Sequence, residues 1–342
     1  MKAIKICGLL LGAVLITASC SSDDEGGSGV VTANSRAELY ASSNTDGNVT
    51  VYDVRNTSNI TTSSFGTAST NAEGIYYDAS NDEVTQASRS GLQLNAYGNV
   101  LLSTSGIDLT ATVSSNAVLV SPRDLAVNGD FYVVADNADV DGDPATADGR
   151  IFIFQRTNGN FTLRNTVTTD FAVWGIEFAG NTLYAVVDKT SDVAVFTNFT
   201  ASNTTDAAIT PTKRITIEGI VRTHGIALAN GTLILTDVGD AASDNDGGFH
   251  VISNFEAKFA AVANGGTLPV AGNQVRVAGA ATFLGNPVAA EYDGLNDIIY
   301  IAERANGNGR VLAFTNVQAG GDLAPVVNNQ LEGASSLYFY QE

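Results

Sequence analysis

NAEGIYYD at 71–78 is followed by SPRDLAV at 121–127, VWGIEF at 173–178, THGIAL at 223–228 and PVAAEYD at 287–293. In each phrase a small residue or an aspartate opens an apolar strand, so one unit recurs five times. LEGASSLYF at 331–339 is a shorter sixth copy just before the C-terminus. Registered on Gly74, Asp124, Gly175, Gly225, Ala289 and Gly333, the copies stand 50, 51, 50, 64 and 44 residues apart. A period of that length, built only from strands, predicts a β-propeller.

The third copy shows the unit in full. DLAVNGDFYVVAD at 124–136 reads as strand, Asn-Gly turn and strand; GRIFIFQ at 149–155 then alternates with period two, and NGNFTLRNTV at 158–167 follows. That makes four antiparallel strands per blade. GIEFAGNTLYAVVD with DVAVFTNF, GIALANGTLILTD with GFHVISNF, and AAEYDGLNDIIYIAE with GRVLAFTN repeat the pattern. Helical spacing is nowhere sustained.

The two ends complement each other. The C-terminal copy supplies only an innermost strand, whereas AELYASSNTDGNVTVYDV at 37–54 supplies a second and third strand with no first. The 9 residues after Gly333 and the 41 from Ala33 to Gly74 together make one period of 50. Six blades closed by a composite N/C-terminal blade are therefore expected. Such closure removes the sheet edges of an open array. Two separate β-sandwiches would not require the period to survive joining the termini.

The first 20 residues read as an export leader, with Lys2 and Lys5, an apolar run at 6–16 and small residues up to Cys20. Leu-Ile-Thr-Ala-Ser-Cys at 15–20 resembles a bacterial lipobox, although Thr17 stands where that motif usually has Leu. The resemblance implies a signal peptide at 1–19, lipid on Cys20 and membrane attachment through that lipid. Ser21-Ser22-Asp23-Asp24-Glu25 and Gly26–Gly29 extend an acidic, flexible tether over 20–32, with the propeller at 33–342. A Ser-plus-acid run after the lipid cysteine resembles the signal sending some lipoproteins to the outer face of the outer membrane.

Cys7 lies in the leader, so Cys20 is the one cysteine of the mature chain and no internal disulfide is possible. The formal charge is −19, or −21 without Lys2 and Lys5. A field of that sign repels phosphate backbones and argues against nucleic acid, while attracting divalent cations and basic partners. A monomer is expected, with a glycan, peptide or protein as ligand.

Asn137-Ala-Asp139-Val-Asp141-Gly142-Asp143, followed by Asp148, has the spacing of a calcium loop. Oxygen ligands at positions 1, 3 and 5 with Gly at 6 let a short turn wrap one Ca²⁺. An EF-hand has a bidentate Glu between helices at position 12; here Asp148 stands there, between strands. Asp240, Asp244 and Asp246 make a second acidic loop in blade five. Asp, Asn and Gly are also ordinary turn formers.

In a propeller the first strands line the axis. The residues just before the repeat positions are Glu73, Arg123, Trp174, His224, Val288 and Glu332, a mixed ring able to bind a ligand at the channel mouth. Paired as a salt bridge under a Trp174 plug, the same residues would be structural. Asp188, Asp237 and Glu303 end second strands and are expected to cap turns, and His250 lies in a third strand.

The blade phrase resembles NHL-repeat and gluconolactonase-like six-bladed propellers, whose units run as a Gly-Ile-Ala-type strand, a turn, a Leu-Tyr-Val-Ala-Asp-type strand and an Arg-Val-type strand, and all six blades take part in the resemblance. The resemblance implies, as the alternative to a binding or scaffold module, a lactonase-like hydrolase or lyase with a metal at the channel. Only Glu73 matches that family's Glu; Arg123, Trp174 and His224 occupy places where oxygen ligands would be expected. His224 would then serve as general base near neutral pH. No G-x-S-x-G, CxxC, H-E-x-x-H or P-loop motif occurs.

Overall fold

The computed structural model describes residues 36–240 and 242–342. The expected leader, Cys20 and the expected tether lie outside the described residues. Six sheets form the blades. Blade one is composite: its innermost strand Ala334–Gln341 pairs with Ala37–Ser43, followed outward by Val49–Asp53 and Thr61–Phe65. Blade two runs Ala72–Asp78, Glu83–Ser88, Gln93–Gly98 and Val113–Ser114. Blade three is Pro122–Asn128, Phe131–Asp136, Gly149–Thr157 and Asn160–Thr169. Blade four is Val173–Ala179, Thr182–Val187, Asp192–Phe196 and Lys213–Ile217. Blade five is Ile226–Ala229, Thr232–Asp237, Gly248–Ile252 and Val275–Ala278. Blade six is Pro287–Asp293, Ile298–Glu303, Arg310–Phe314 and Val327–Gln330.

Turn chemistry sets the first hairpin of each blade. Blade five turns on Asn230-Gly231, both at positive φ (50° and 73°), the type I′ geometry that matches strand twist. Blades two and six use four-residue turns in which Asp78 and Asp293 accept backbone N–H bonds from Ser80 and Leu295. After the third strand, Asn198, Asn254 and Asn316 enter the left-handed region, and Phe199, Phe255 and Val317 drop into the core. The only α-helices among the described residues, Phe199–Ser202 and Phe255–Ala261, start at these corners.

One apolar cluster fills each interface between adjacent blades, including that between blades six and one. Burial between blades, rather than within one, holds the ring closed. The outer edges are strapped as well. Ala207–Ala208, from a blade-four loop, adds a parallel fifth strand to blade three, and Thr267–Leu268, from blade five, does the same for blade four. Single parallel bridges join Gly66 to Asp108 and Val277 to Gly321 at two further junctions. The straps cover edge N–H and C=O groups that would otherwise invite pairing with another chain.

Candidate functional site

The recurring position is a β-bulge. In blades two, three, four and six the first strand slips against the second at Ala72/Ile75, Pro122/Asp124, Val173/Ile176 and Pro287/Ala289. Glu73, Arg123, Trp174 and Val288 lie in these slips, and a bulge re-aims its side chain off the blade. In blade five the amides of His224 and Gly225 donate instead to Thr236 Oγ1, at 3.3 and 2.8 Å. The glycines at these positions answer a close approach. A Cβ on Gly175 would lie 2.3 Å from His224 O, and one on Gly225 would lie 2.8 Å from Ala289 Cα, so each repeat glycine abuts the next blade.

Blade one departs from the expected register. The residue after the bulge pairs two places before the end of the second strand: Ile75 with Gln86, Leu125 with Val134, Ile176 with Ala185. In blade one the corresponding pair is Leu337 with Ala41. Ser336, not Gly333, therefore holds the repeat position, and Ser335 replaces Glu332 in the ring. Ser335 Oγ donates to Ala72 O at 2.7 Å, whereas Glu332 is exposed.

The channel mouth is closed by a stack. The Trp174 indole lies against His224, with ring centroids 3.6 Å apart, and the Arg123 guanidinium sits 4.3 Å over the Trp174 ring. Arg123 Nε donates to Asn137 Oδ1 at 2.8 Å. Burial and the neighbouring Arg89 push the Arg123 guanidinium down to about 10. His224 is buried, and burial lowers it to about 4 despite Asp188. Its Nε2 lies 3.5 Å from Asp188 Oδ1, at the limit of a hydrogen bond, and Nδ1 has no partner among the described residues.

A second ring surrounds the first and was not read from the sequence. It comprises the residues that directly follow the second strands: Asn44, Arg89, Asn137, Asp188 and Arg304. Asn44 Nδ2 donates to Glu73 Oε1 at 2.7 Å, Arg304 Nη1 donates to the same oxygen at 3.4 Å, and Arg89 Nη1 lies 3.7 Å from it. Burial raises Glu73 to about 7 against the pull of Arg304, Arg123 and Arg89. Arg222 grips Asp188 through Nε and Nη2, at 3.0 and 2.7 Å.

Asp188 thus belongs to the mouth, not to the turn caps. The capping places are held by Asp136, Asp237 and Glu303, whose carboxylates accept from the amides of Ser121, Val221 and Gly285 at 2.7, 2.9 and 2.9 Å. His250 packs behind Asp237, with Nδ1 2.7 Å from Gln274 Oε1.

Below the stack lies a cavity of about 30 Å³, bordered by Asp124, Glu177, Ala290 and Leu337. That is room for a water or two, not for a substrate. Asp124 accepts from the amides of Leu125 and Ile176, both at 2.9 Å, so its carboxylate ties blade three to blade four. Burial raises Asp124 to about 7; burial and Asp124 raise Glu177 to about 8. Glu291 is raised well above the usual range by burial, Glu177 and Asp124. Tyr76 and Tyr338 stand at the positions equivalent to Glu177 and meet edge to face at 4.9 Å.

In the blade-three loop, Asp139, Asp141 and Asp148 bring one carboxylate oxygen each within 4.8 Å of one another. Asp148 accepts from the amides of Val140 and Asp141, and Asp139 from that of Gly142. These three could supply hard oxygens to Ca²⁺. Asn137 turns away to Arg123, and Asp143 caps Ala145. The blade-five loop brings no such trio together among the described residues: Asp246 accepts from the Asp240 amide and Asp244 O accepts from Asn306. Beside the mouth, a groove of about 410 Å³ runs between this loop and blade four, lined by Thr146, Asp148, Asp188, Lys189 and Thr190 among others.

No protein-family model and no curated protein sequence matches the chain. Among solved structures it is similar to a chain in the crystal structure of a nidogen/laminin complex. That match has a TM-score of 0.57 and 12% identity over 90% of this chain and 98% of the other. It is also similar to a protein of Bacteroides fragilis NCTC 9343 provisionally assigned as a 6-phosphogluconolactonase. There the TM-score is 0.58, with 13% identity over 91% of this chain and 99% of the other. At such identities the likeness carries the fold alone, and the fold is a six-bladed β-propeller.

Proposed function

We propose that this propeller is a binding module, displayed at the outer membrane by lipid on Cys20, whose top face takes a glycan, peptide or protein ligand. One observation supports it above the others: polar side chains from five blades converge over a channel that the Arg123–Trp174–His224 stack leaves closed. A ligand would lie across this face and into the adjoining groove rather than enter the channel. Ca²⁺ at Asp139, Asp141 and Asp148 would stiffen the groove wall. Hydrolysis at the mouth is a second reading, favoured by the His224 ring, whose Nε2 lies 3.5 Å from Asp188 Oδ1. Against it stands the burial of that ring beneath Trp174, out of reach of a substrate.

Glycan and peptide arrays probed with the full-length chain test the first reading. Ligands should be lost in Arg123→Gln and in the exposed groove variant Lys189→Glu, and kept in Glu256→Gln on the outer helix of blade five. Binding indifferent to both top-face variants would overturn it. Turnover of sugar lactones that vanishes in His224→Gln would favour the second reading.

A further inference from the structure

Arg89 and Arg304, from blades two and six, both approach one carboxylate, with nitrogens 3.7 and 3.4 Å from Glu73 Oε1, and Arg123 of blade three lies near enough to act on it electrostatically. Six other arginines each have a carboxylate of their own, as in Arg156–Glu83 at 2.9 Å and Arg222–Asp188 at 2.7 Å. At the mouth Arg89 and Arg304 share Glu73, and Arg123 has no carboxylate within 4 Å among the described residues. Arg304 Nη2 is held by Asn44 Oδ1 at 2.7 Å, Arg89 Nη2 reaches Ser121 Oγ only at 3.4 Å, and neither Nη of Arg123 has an acceptor among the described residues. Like charges this close repel, and a partly buried guanidinium with free N–H groups loses solvation. The chain is otherwise strongly acidic, at −19, so a general basic surface does not account for the group.

We propose that the channel mouth binds an oxyanion, carboxylate or phosphate, carried by the ligand of the top face. Planar guanidinium forks match both anions through paired N–H···O bonds, which a lysine cluster would not do. The anion takes the Arg123 Nη groups and the under-used Arg89, and adds negative charge to that of Glu73 and of Asp188, which Arg222 already holds. Trp174 contributes no stacking face, because Arg123 covers one side and His224 the other. The rest of the ligand extends toward Lys189 and Thr190 in the groove. The proposal rests on the binding reading above and names the chemistry that its site selects.

Thermal unfolding of the full chain tests it, with inorganic phosphate, glucuronate and neutral glucose as probes and sodium chloride at matched ionic strength. A ligand that binds only the folded state raises the midpoint saturably. Phosphate or glucuronate should do so and glucose should not; the anion with the larger shift identifies the group recognised. Arg89→Gln and Arg304→Gln should each weaken the response about tenfold or more. Arg89 is partly exposed and lightly bonded, so its variant keeps the test open if the other unfolds. No shift beyond chloride with either anion, or a full shift in the folded variants, overturns the proposal. Array ligands that still depend on Lys189 would then leave the top-face reading standing.

Discussion

The Trp174 indole and the His224 imidazole lie in parallel planes, 6° apart in tilt and 3.6 Å between centroids. Burial under the indole keeps His224 at about 4, so the imidazole is neutral at pH 7. In an NMR titration His224 should show no transition between pH 5.5 and 8. Trp174→Ala should bring its pKa up toward the ordinary 6.5 and cost about 3 kcal/mol in denaturant unfolding. Because the folded pKa is depressed, the stability from this histidine is present above pH 6.5 and lost as the pH falls toward 4. A His224 that titrates normally in the wild type would contradict the closed mouth.

Glu177 works in the opposite direction. Its folded pKa is raised, to about 8, so its contribution is complete below the unfolded value of 4.5 and drains away as the pH rises toward 8. Glu177→Gln should stabilise the protein at pH 8 by about 1–3 kcal/mol and be neutral near pH 4.5. Paired urea titrations at the two pH values check this. A constant difference would mean that the carboxyl is not titrating in the channel.

Glycine substitutions separate crowding from backbone strain. Gly175→Ala drives a methyl against His224 O and should cost about 2–3 kcal/mol or more, since the next blade must move. Gly180→Ala meets nothing within 4 Å and bears only the penalty of its φ of +56°, about 1 kcal/mol. Equal costs in chemical unfolding would contradict the close approach of first strands.

Chelation addresses the blade-three loop. Adding Ca²⁺ to chelated protein should raise the thermal midpoint by several degrees, and Asp139→Ala/Asp141→Ala should abolish the response. The Asp240→Ala/Asp244→Ala pair should leave it intact, because those carboxylates do not converge with a third. An unchanged midpoint in the wild type removes calcium from the account.

Much of the fold was legible because its causes are local. Period-two strands, Asn-Gly turns such as Asn230-Gly231 and a spacing near 50 are written in neighbouring residues, and complementary termini announce closure. The mouth residues Glu73, Arg123, Trp174, His224 and Val288 could be read because every blade brings the same repeat position to the axis, through a bulge in blades two, three, four and six and through Thr236 in blade five. The recurring Thr/Ser-Asn corners at 198, 254 and 316 were visible as sequence, but their left-handed backbone was not.

What the tertiary structure alone decided depends on contacts between distant segments. Ser335 rather than Glu332 completes the ring because 334–341 pairs with 37–43, across almost the whole chain. Asn44, Arg89, Asn137, Asp188 and Arg304 share no sequence phrase; they meet because each leaves the end of a second strand on the same side of the ring. Asp124, Glu177 and Glu291 look like ordinary polar residues of alternating strands until the ring turns them into one channel, where burial raises all three and repulsion from neighbouring carboxylates adds to the shifts of Glu177 and Glu291. Repetition determined the blades; convergence on a shared axis, which no single blade encodes, decided the charge of the mouth and the chemistry that it can hold.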